Sequence, residues 1–202
     1  MIAIIDYDAG NIKSVEKACS YLGKEVVVTR DKEKIVRADH VILPGVGAYS
    51  DCMHKLETYD LVDTIKAVVD KKTPFLGICL GLQLLFESSE EGGGFNGLGI
   101  LQGKIVKIPD QDKQLKVPQI GWNSLHMTKE SRLFQGIKED SFVYFVHSYY
   151  LQAKDPSIVA ATTEYGVTIH AAVEKDNIFA CQFHPEKSGE VGLTILKNFM
   201  EI

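Results

Sequence analysis

A chain of 202 residues, 45% apolar and 24% charged, is long enough to bury a substantial core and is expected to form one unit over residues 1–202. Its 22 basic and 27 acidic residues leave a net charge of −5 with no basic cluster, which argues against a nucleic-acid surface. The opening MIAIIDYDAG lacks a basic leader, no apolar segment reaches membrane-spanning length, and Cys19, Cys52, Cys79 and Cys181 form no C-x-x-C pair, so a reducing cytoplasm without a membrane anchor is expected.

Met1 to Asp6 is apolar almost throughout, the pattern of a strand covered on both faces. After a turn at Asp8 to Asn11, the residues Ile12, Val15, Ala18, Cys19 and Leu22 form a helical stripe that Gly23 ends. Glu25 to Thr29 reads as a second strand, Asp31 to Ala38 as a short charged helix, and His40 to Leu43 as a third strand running into Pro44-Gly45-Val46-Gly47. Helices follow at Asp51 to Leu56 and at Asp60 to Lys71, the latter with Asp60 as its N-cap. Alternating strands and helices predict βαβ units and a parallel sheet, with a ligand crevice at the carboxyl ends of the strands.

Glu90 to Gly99 is glycine-rich and reads as a flexible loop. Beyond it come short strands at Ile105 to Ile108, Ser124 to Met127, Phe142 to Tyr150, Ile158 to Thr163, Val167 to Val173 and Ile178 to Phe183, expected as antiparallel additions at the sheet edge. Asp176-Asn177 reads as a hairpin turn, and Ser188 as the cap of a closing helix through Phe199. The class expected is α/β, a three-layer α/β/α arrangement around a flavodoxin-like mixed sheet with a parallel core and antiparallel additions.

The chemistry concentrates at KTPFLGICLGLQLLFE, Lys72 to Glu87. Pro74 to Ile78 reads as a buried strand and Leu80 to Phe86 as a helix, with Cys79 at the apex between Gly77 and Gly81. This is the G-x-nucleophile-x-G elbow with sulfur in place of oxygen. A helix N-terminus favours an anion, and its unpaired N–H groups, that of Leu80 first, can receive an oxyanion. PGVG falls on the same sheet edge, where Gly45 and Gly47 permit close backbone approach and a second N–H could come from Val46 or Gly47. Gln83 lies one helical turn beyond Cys79, within reach of a ligand held against the sulfur.

A cysteine in a tight turn is as often a packing residue as a reactive one. What decides is His184-Pro185-Glu186 at the end of a strand. Extended geometry before proline sends His184 and Glu186 to one side, so Glu186 can accept from one imidazole nitrogen while the other faces Cys79. Nucleophile, base and orienter then stand in the order Cys79, His184, Glu186. The spacing lacks the paired ligands of a structural zinc site, so neither a metal nor a cofactor is expected.

GICLGLQ at Gly77 to Gln83 together with HPE at His184 to Glu186 resembles the triad glutaminases, the class I glutamine amidotransferases, across essentially the whole chain. Within that family NIKSVEKA, LPGVGAY, PQIGWN and YFVHSYY look most like the imidazole glycerol phosphate synthase branch. The resemblance implies hydrolysis of L-glutamine to L-glutamate and ammonia through a thioester on Cys79, with Gly45, Gly47, Gln83, Ser148 and Tyr149 holding glutamine. It implies a heterodimer with a cyclase subunit, a (β/α)8 barrel of histidine biosynthesis that uses the ammonia to form imidazole glycerol phosphate and an aminoimidazole carboxamide ribotide. Trp122, Asn123, Tyr144 and Lys187 would lie near its docking face, although by composition alone Trp122 suits a core as well as an interface. Val46, flanked by glycines, could turn its peptide and leave the oxyanion site incomplete until that partner binds. The alternatives are a glutaminase feeding pyridoxal phosphate or aminodeoxychorismate synthesis, and a binding module without catalysis.

Overall fold

The computed structural model describes residues 1–110 and 115–202. In chain order the first half comprises β1 (Ile2–Ile5), α1 (Ile12–Tyr21), β2 (Val26–Thr29), α2 (Lys32–Arg37), β3 (His40–Leu43), α3 (Tyr49–Thr58), α4 (Val62–Asp70), β4 (Phe75–Ile78) and α5 (Leu80–Leu84). The second half adds β5 (Ser88–Ser89), β6 (Phe95–Asn96), β7 (Gly103–Lys107), β8 (Gln119–Ser124), β9 (His126–Met127), β10 (Phe142–His147), β11 (Tyr149–Ala153), β12 (Val159–Glu164), β13 (Thr168–Lys175), β14 (Ile178–Cys181) and α6 (Gly189–Met200).

β1 and β4 are buried at every position, as strands covered by helices on both faces must be. They lie inside an eight-stranded sheet of order β2-β1-β3-β4-β14-β13-β12-β9. Its first five strands run parallel, and β13, β12 and β9 continue it antiparallel. The mixed sheet expected from the sequence is therefore present, but β14 is not an edge addition. It is wholly buried and inserts beside β4, because a strand apolar on both faces is stable only where both are covered. Cys181 pairs with Ile78, so the carboxyl ends of β4 and β14 emerge side by side.

Two expected strands divide. The run through Phe142 to Tyr150 breaks at Ser148: β10 pairs with β8 in a two-stranded ribbon, and β11 joins a sheet of order β11-β7-β5-β6. The run through Ser124 to Met127 breaks at Leu125, which is buried between the end of β8 and β9. The Glu90 to Gly99 stretch is more ordered than a loop, since Ser89 pairs with Phe95 and the Glu91 carboxylate accepts from the Tyr49 N–H at 3.0 Å.

Asp60 does not cap α4. It turns the chain at φ +52°, with its carboxylate on Lys32, and the buried Leu61 holds the N-cap position. Ser188 also makes no side-chain cap; its hydroxyl donates to the His184 carbonyl at 2.6 Å and accepts from the Tyr144 N–H at 2.9 Å. Closing helix α6 packs on the sheet through Phe199, edge-on to Phe179 at 6.0 Å. Burying a ring of that size contributes roughly 2 to 3 kcal/mol. Among the described residues no helix is long and apolar enough to cross a membrane.

Candidate active site

The chain turns from β4 into α5 at Cys79, which holds φ +54° and ψ −108°. A β-carbon there costs roughly 1 to 3 kcal/mol of backbone strain. The flanking glycines are required by contact: a methyl on Gly77 would lie 2.7 Å from the Gly81 carbonyl oxygen, and one on Gly81 would overlap the Leu43 carbonyl of β3. Because β14 lies beside β4, the chain leaving it brings His184 to the same sheet end as Cys79. His184 is extended at φ −101° and ψ 97°, and its N–H donates to the Tyr144 carbonyl at 2.9 Å.

His184 Nδ1 lies 2.7 Å from Glu186 Oε1, and both side chains are fully buried. The carboxylate can only accept, so Nδ1 carries the hydrogen and Nε2 is left toward Cys79. His184 Nε2 and Glu186 Oε2 have no hydrogen-bond partner among the described residues. Burial disfavours the imidazolium, but the hydrogen bond to Glu186 and the closeness of Cys79 outweigh it and raise His184 to about 10.

Four further side chains join the site that sequence reasoning did not single out. Asn11 sits at the N-cap of α1 yet makes no side-chain cap; its amide donates to Glu186 Oε1 instead, 3.4 Å from His184 Nδ1. Gln182, fully buried, reaches Cys79 Sγ from Nε2 at 3.6 Å and accepts from Gln83 Nε2 at 2.9 Å. Gln83 Nε2 also donates to the Tyr149 carbonyl at 3.0 Å, which commits both its hydrogens and leaves Oε1 to accept. A glutamine inside the apolar run FACQF was the available signal, since a buried amide must find partners. The others are Glu91 and His147, both at the cavity wall.

That cavity, of about 540 Å³, opens over Cys79 and is lined by Val46, Gly47, Leu80, Gln83, Ser148 and Tyr149 among others. Gly45 lies beneath it instead, where an added β-carbon would stand 2.7 Å from Tyr7 Oη and 2.9 Å from Leu80 Cβ. The Leu80 N–H is already engaged, donating to the Gly45 carbonyl at 3.3 Å.

His147 Nδ1 lies 2.9 Å from the Tyr149 carbonyl and Nε2 2.8 Å from the Gln119 amide. Burial pushes this imidazole down to about 4. A lowered histidine binds its proton in the unfolded chain first, so between pH 6.5 and about 4 the unfolded state holds more protons and stability falls with acidification. Denaturant midpoints should therefore lose about 3 kcal/mol of stability over that window, a slope that His147→Gln removes.

Trp122, Asn123 and Tyr144 stand outside the cavity, on the β8–β10 ribbon where Trp122 pairs with Tyr144, while Lys187 reaches its wall. Trp122 is 55% exposed, which settles the choice between core and surface, and it meets Tyr144 edge-on at 6.1 Å. Lys187 Nζ stands 5.9 Å over the Tyr144 ring, and Asn123 Nδ2 donates to the Glu164 carbonyl at 2.9 Å. Ile120 and Phe142 are exposed on the same ribbon.

Comparison with known proteins gives this arrangement its lineage. The family model for glutamine amidotransferase class-I matches residues 3–202. Imidazole glycerol phosphate synthase subunit HisH of Caldanaerobacter subterraneus subsp. tengcongensis is 50% identical over 100% of this chain and 98% of its own length. The protein of the same name from Methanocaldococcus jannaschii is 48% identical over 100% of both. Among solved structures, a glutamine amidotransferase at 18% identity superposes with a TM-score of 0.76 over 100% of this chain and 98% of that one. PurLQS from Thermotoga maritima gives 0.73 at 18% identity, covering 99% and 97%, so the fold persists where sequence has diverged. By its family model and by relatives about half identical over their full length, the chain belongs to the class-I glutamine amidotransferases.

Proposed function

We propose that the chain is the glutaminase subunit of an imidazole glycerol phosphate synthase, hydrolysing L-glutamine and passing ammonia to a cyclase subunit for histidine biosynthesis. The buried Cys79, His184 and Glu186 at adjoining strand ends carry the reading, supported by the names of the relatives. The Cys79 thiolate attacks the side-chain carbonyl carbon of glutamine, forming the C–S bond and a tetrahedral oxyanion. Protonated His184 gives its proton to the departing nitrogen, the C–N bond breaks, and ammonia leaves a γ-glutamyl thioester. Water then loses a proton to His184 and attacks the thioester, releasing glutamate and restoring the thiolate. Glu186 and Asn11 hold the ring orientation throughout. Gln83 Oε1 and the Glu91 carboxylate are acceptors suited to the substrate ammonium, with the backbone at Ser148 and Tyr149 across the cavity.

The oxyanion needs the Leu80 N–H and a second donor from Val46 or Gly47, but the Gly45 carbonyl occupies the first. Turnover without a partner is accordingly slow, and turning the Gly45–Val46 peptide completes the hole. Ammonia released to water would be protonated and lost as a nucleophile, so the exit must be covered. The ribbon with its exposed Trp122, Ile120 and Phe142 and half-buried Tyr144, with Lys187 at its rim and Asn123 within it, suits docking of a (β/α)8-barrel cyclase as a heterodimer. The whole of residues 1–202 acts as one cytoplasmic glutaminase unit.

Glutamate release by the purified chain, alone and with the cyclase plus its ribonucleotide ligand, tests this. The expected result is strong stimulation that Cys79→Ala abolishes, and a Kd for the cyclase weakened at least about tenfold by Trp122→Ala. Activity indifferent to the cyclase would sink the partner, and silence in every mixture would leave a binding module.

A further inference from the structure

We propose that Tyr7 and Cys52 are positioning residues that hold the Pro44–Gly47 loop with its oxyanion site closed, an inference that rests on the glutaminase reading above. Three successive carbonyls of the loop are held by three different elements. Tyr7, fully buried just beyond β1, donates its hydroxyl to the Pro44 carbonyl at 2.6 Å. The Leu80 N–H of α5 holds the Gly45 carbonyl at 3.3 Å. The Cys52 thiol of α3 points to the Val46 carbonyl at 3.7 Å. The middle carbonyl is the one that blocks an oxyanion donor, and the outer two bonds fix the residues on either side of it.

Space reinforces the latch. The Tyr7 hydroxyl oxygen lies 2.7 Å from where a β-carbon on Gly45 would sit, and Gly81 N and Leu80 Cβ lie 2.9 Å away. A turning Gly45–Val46 peptide must find room among these atoms, and the hydroxyl is the one that can be removed without disturbing the elbow. Burial raises Tyr7 well above its ordinary value, so it remains an O–H donor over any usual assay range. Neither side chain lines the glutamine cavity, so both act through the loop.

Tyr7→Phe keeps the ring and leaves the buried Pro44 carbonyl without its donor, which loosens the closed arrangement. The expected result is a glutaminase kcat without the cyclase raised about fivefold, the equivalent of one neutral hydrogen bond, with KM for glutamine unchanged. The cyclase-stimulated kcat should stay at the wild-type level, so the stimulation ratio shrinks by the same factor. A thiol donor is weaker, so Cys52→Ala should raise the unstimulated kcat about twofold and Cys52→Ser should restore it. An unchanged stimulation ratio in both Tyr7→Phe and Cys52→Ala, or a parallel fall of both kcat values, overturns the proposal and leaves packing residues. If Tyr7→Phe does not fold, the Cys52→Ala and Cys52→Ser pair decides. Failure of the glutaminase reading is visible separately, as wild-type protein with no Cys79-dependent glutamate release under any condition.

Discussion

Cys79→Gly should abolish glutamine hydrolysis and stabilise the fold at the same time. On the proposed mechanism Cys79 forms the thioester, so its loss removes the covalent route, with an expected fall in kcat of about 10⁴-fold or more. The gain comes from the backbone. Cys79 holds φ +54° and ψ −108°, which glycine adopts without a β-carbon clash, so about 1 to 2 kcal/mol of strain is relieved. The side chain faces the cavity, so less packing is lost than in a closed core. Cys79→Ala is the discriminating control, because it is equally inactive but keeps the β-carbon and hence the strain. Calorimetry should place the glycine variant a few degrees above the alanine variant. Equal midpoints would mean that the elbow stores no strain worth releasing.

Gly81→Ala should fail in the opposite way, losing the fold along with the activity. By helix propensity alone the change would stabilise α5 by about 1 kcal/mol. Contact decides against it, because the new methyl would overlap the Leu43 carbonyl oxygen, a backbone atom of a central strand that cannot move alone. Separating α5 from β3 should cost at least about 3 kcal/mol, a large share of the 5 to 15 kcal/mol that typically holds a domain together. Gly99→Ala is the comparison: φ is +63° and nothing lies within 4 Å of the added carbon, so only about 1 kcal/mol of conformational strain is expected. Soluble yield and denaturant midpoint distinguish the two, and similar midpoints would refute the contact argument.

The parts that sequence alone made legible are those governed by neighbours in the chain. The apolar runs of β1 and β4, the glycine spacing around Cys79 and the extended residue before Pro185 each follow from sterics or burial over a few positions. The alternation of strands and helices carried the expectation to an α/β fold with a parallel sheet, and the family resemblance of the two motifs carried it to a glutaminase.

What tertiary structure decided involves groups distant in the chain. Asn11 meets Glu186 across 175 positions, and nothing local distinguishes an amide that caps a helix from one that leaves the cap to hold a carboxylate. The break at Ser148 has the same origin, because Phe142 to Tyr150 reads as one strand along the chain and divides only where the pairing partners of β10 and β11 differ. Asp60 looked like a cap for α4, but burial of Leu61 moved the helix start. The Leu80 N–H follows the same logic: its place at a helix start could be read from the elbow, but its capture by the Gly45 carbonyl depends on how closely α5 packs on β3. Local sterics can therefore be read along the chain, whereas the partner of each buried polar group is chosen by the packing of whole elements.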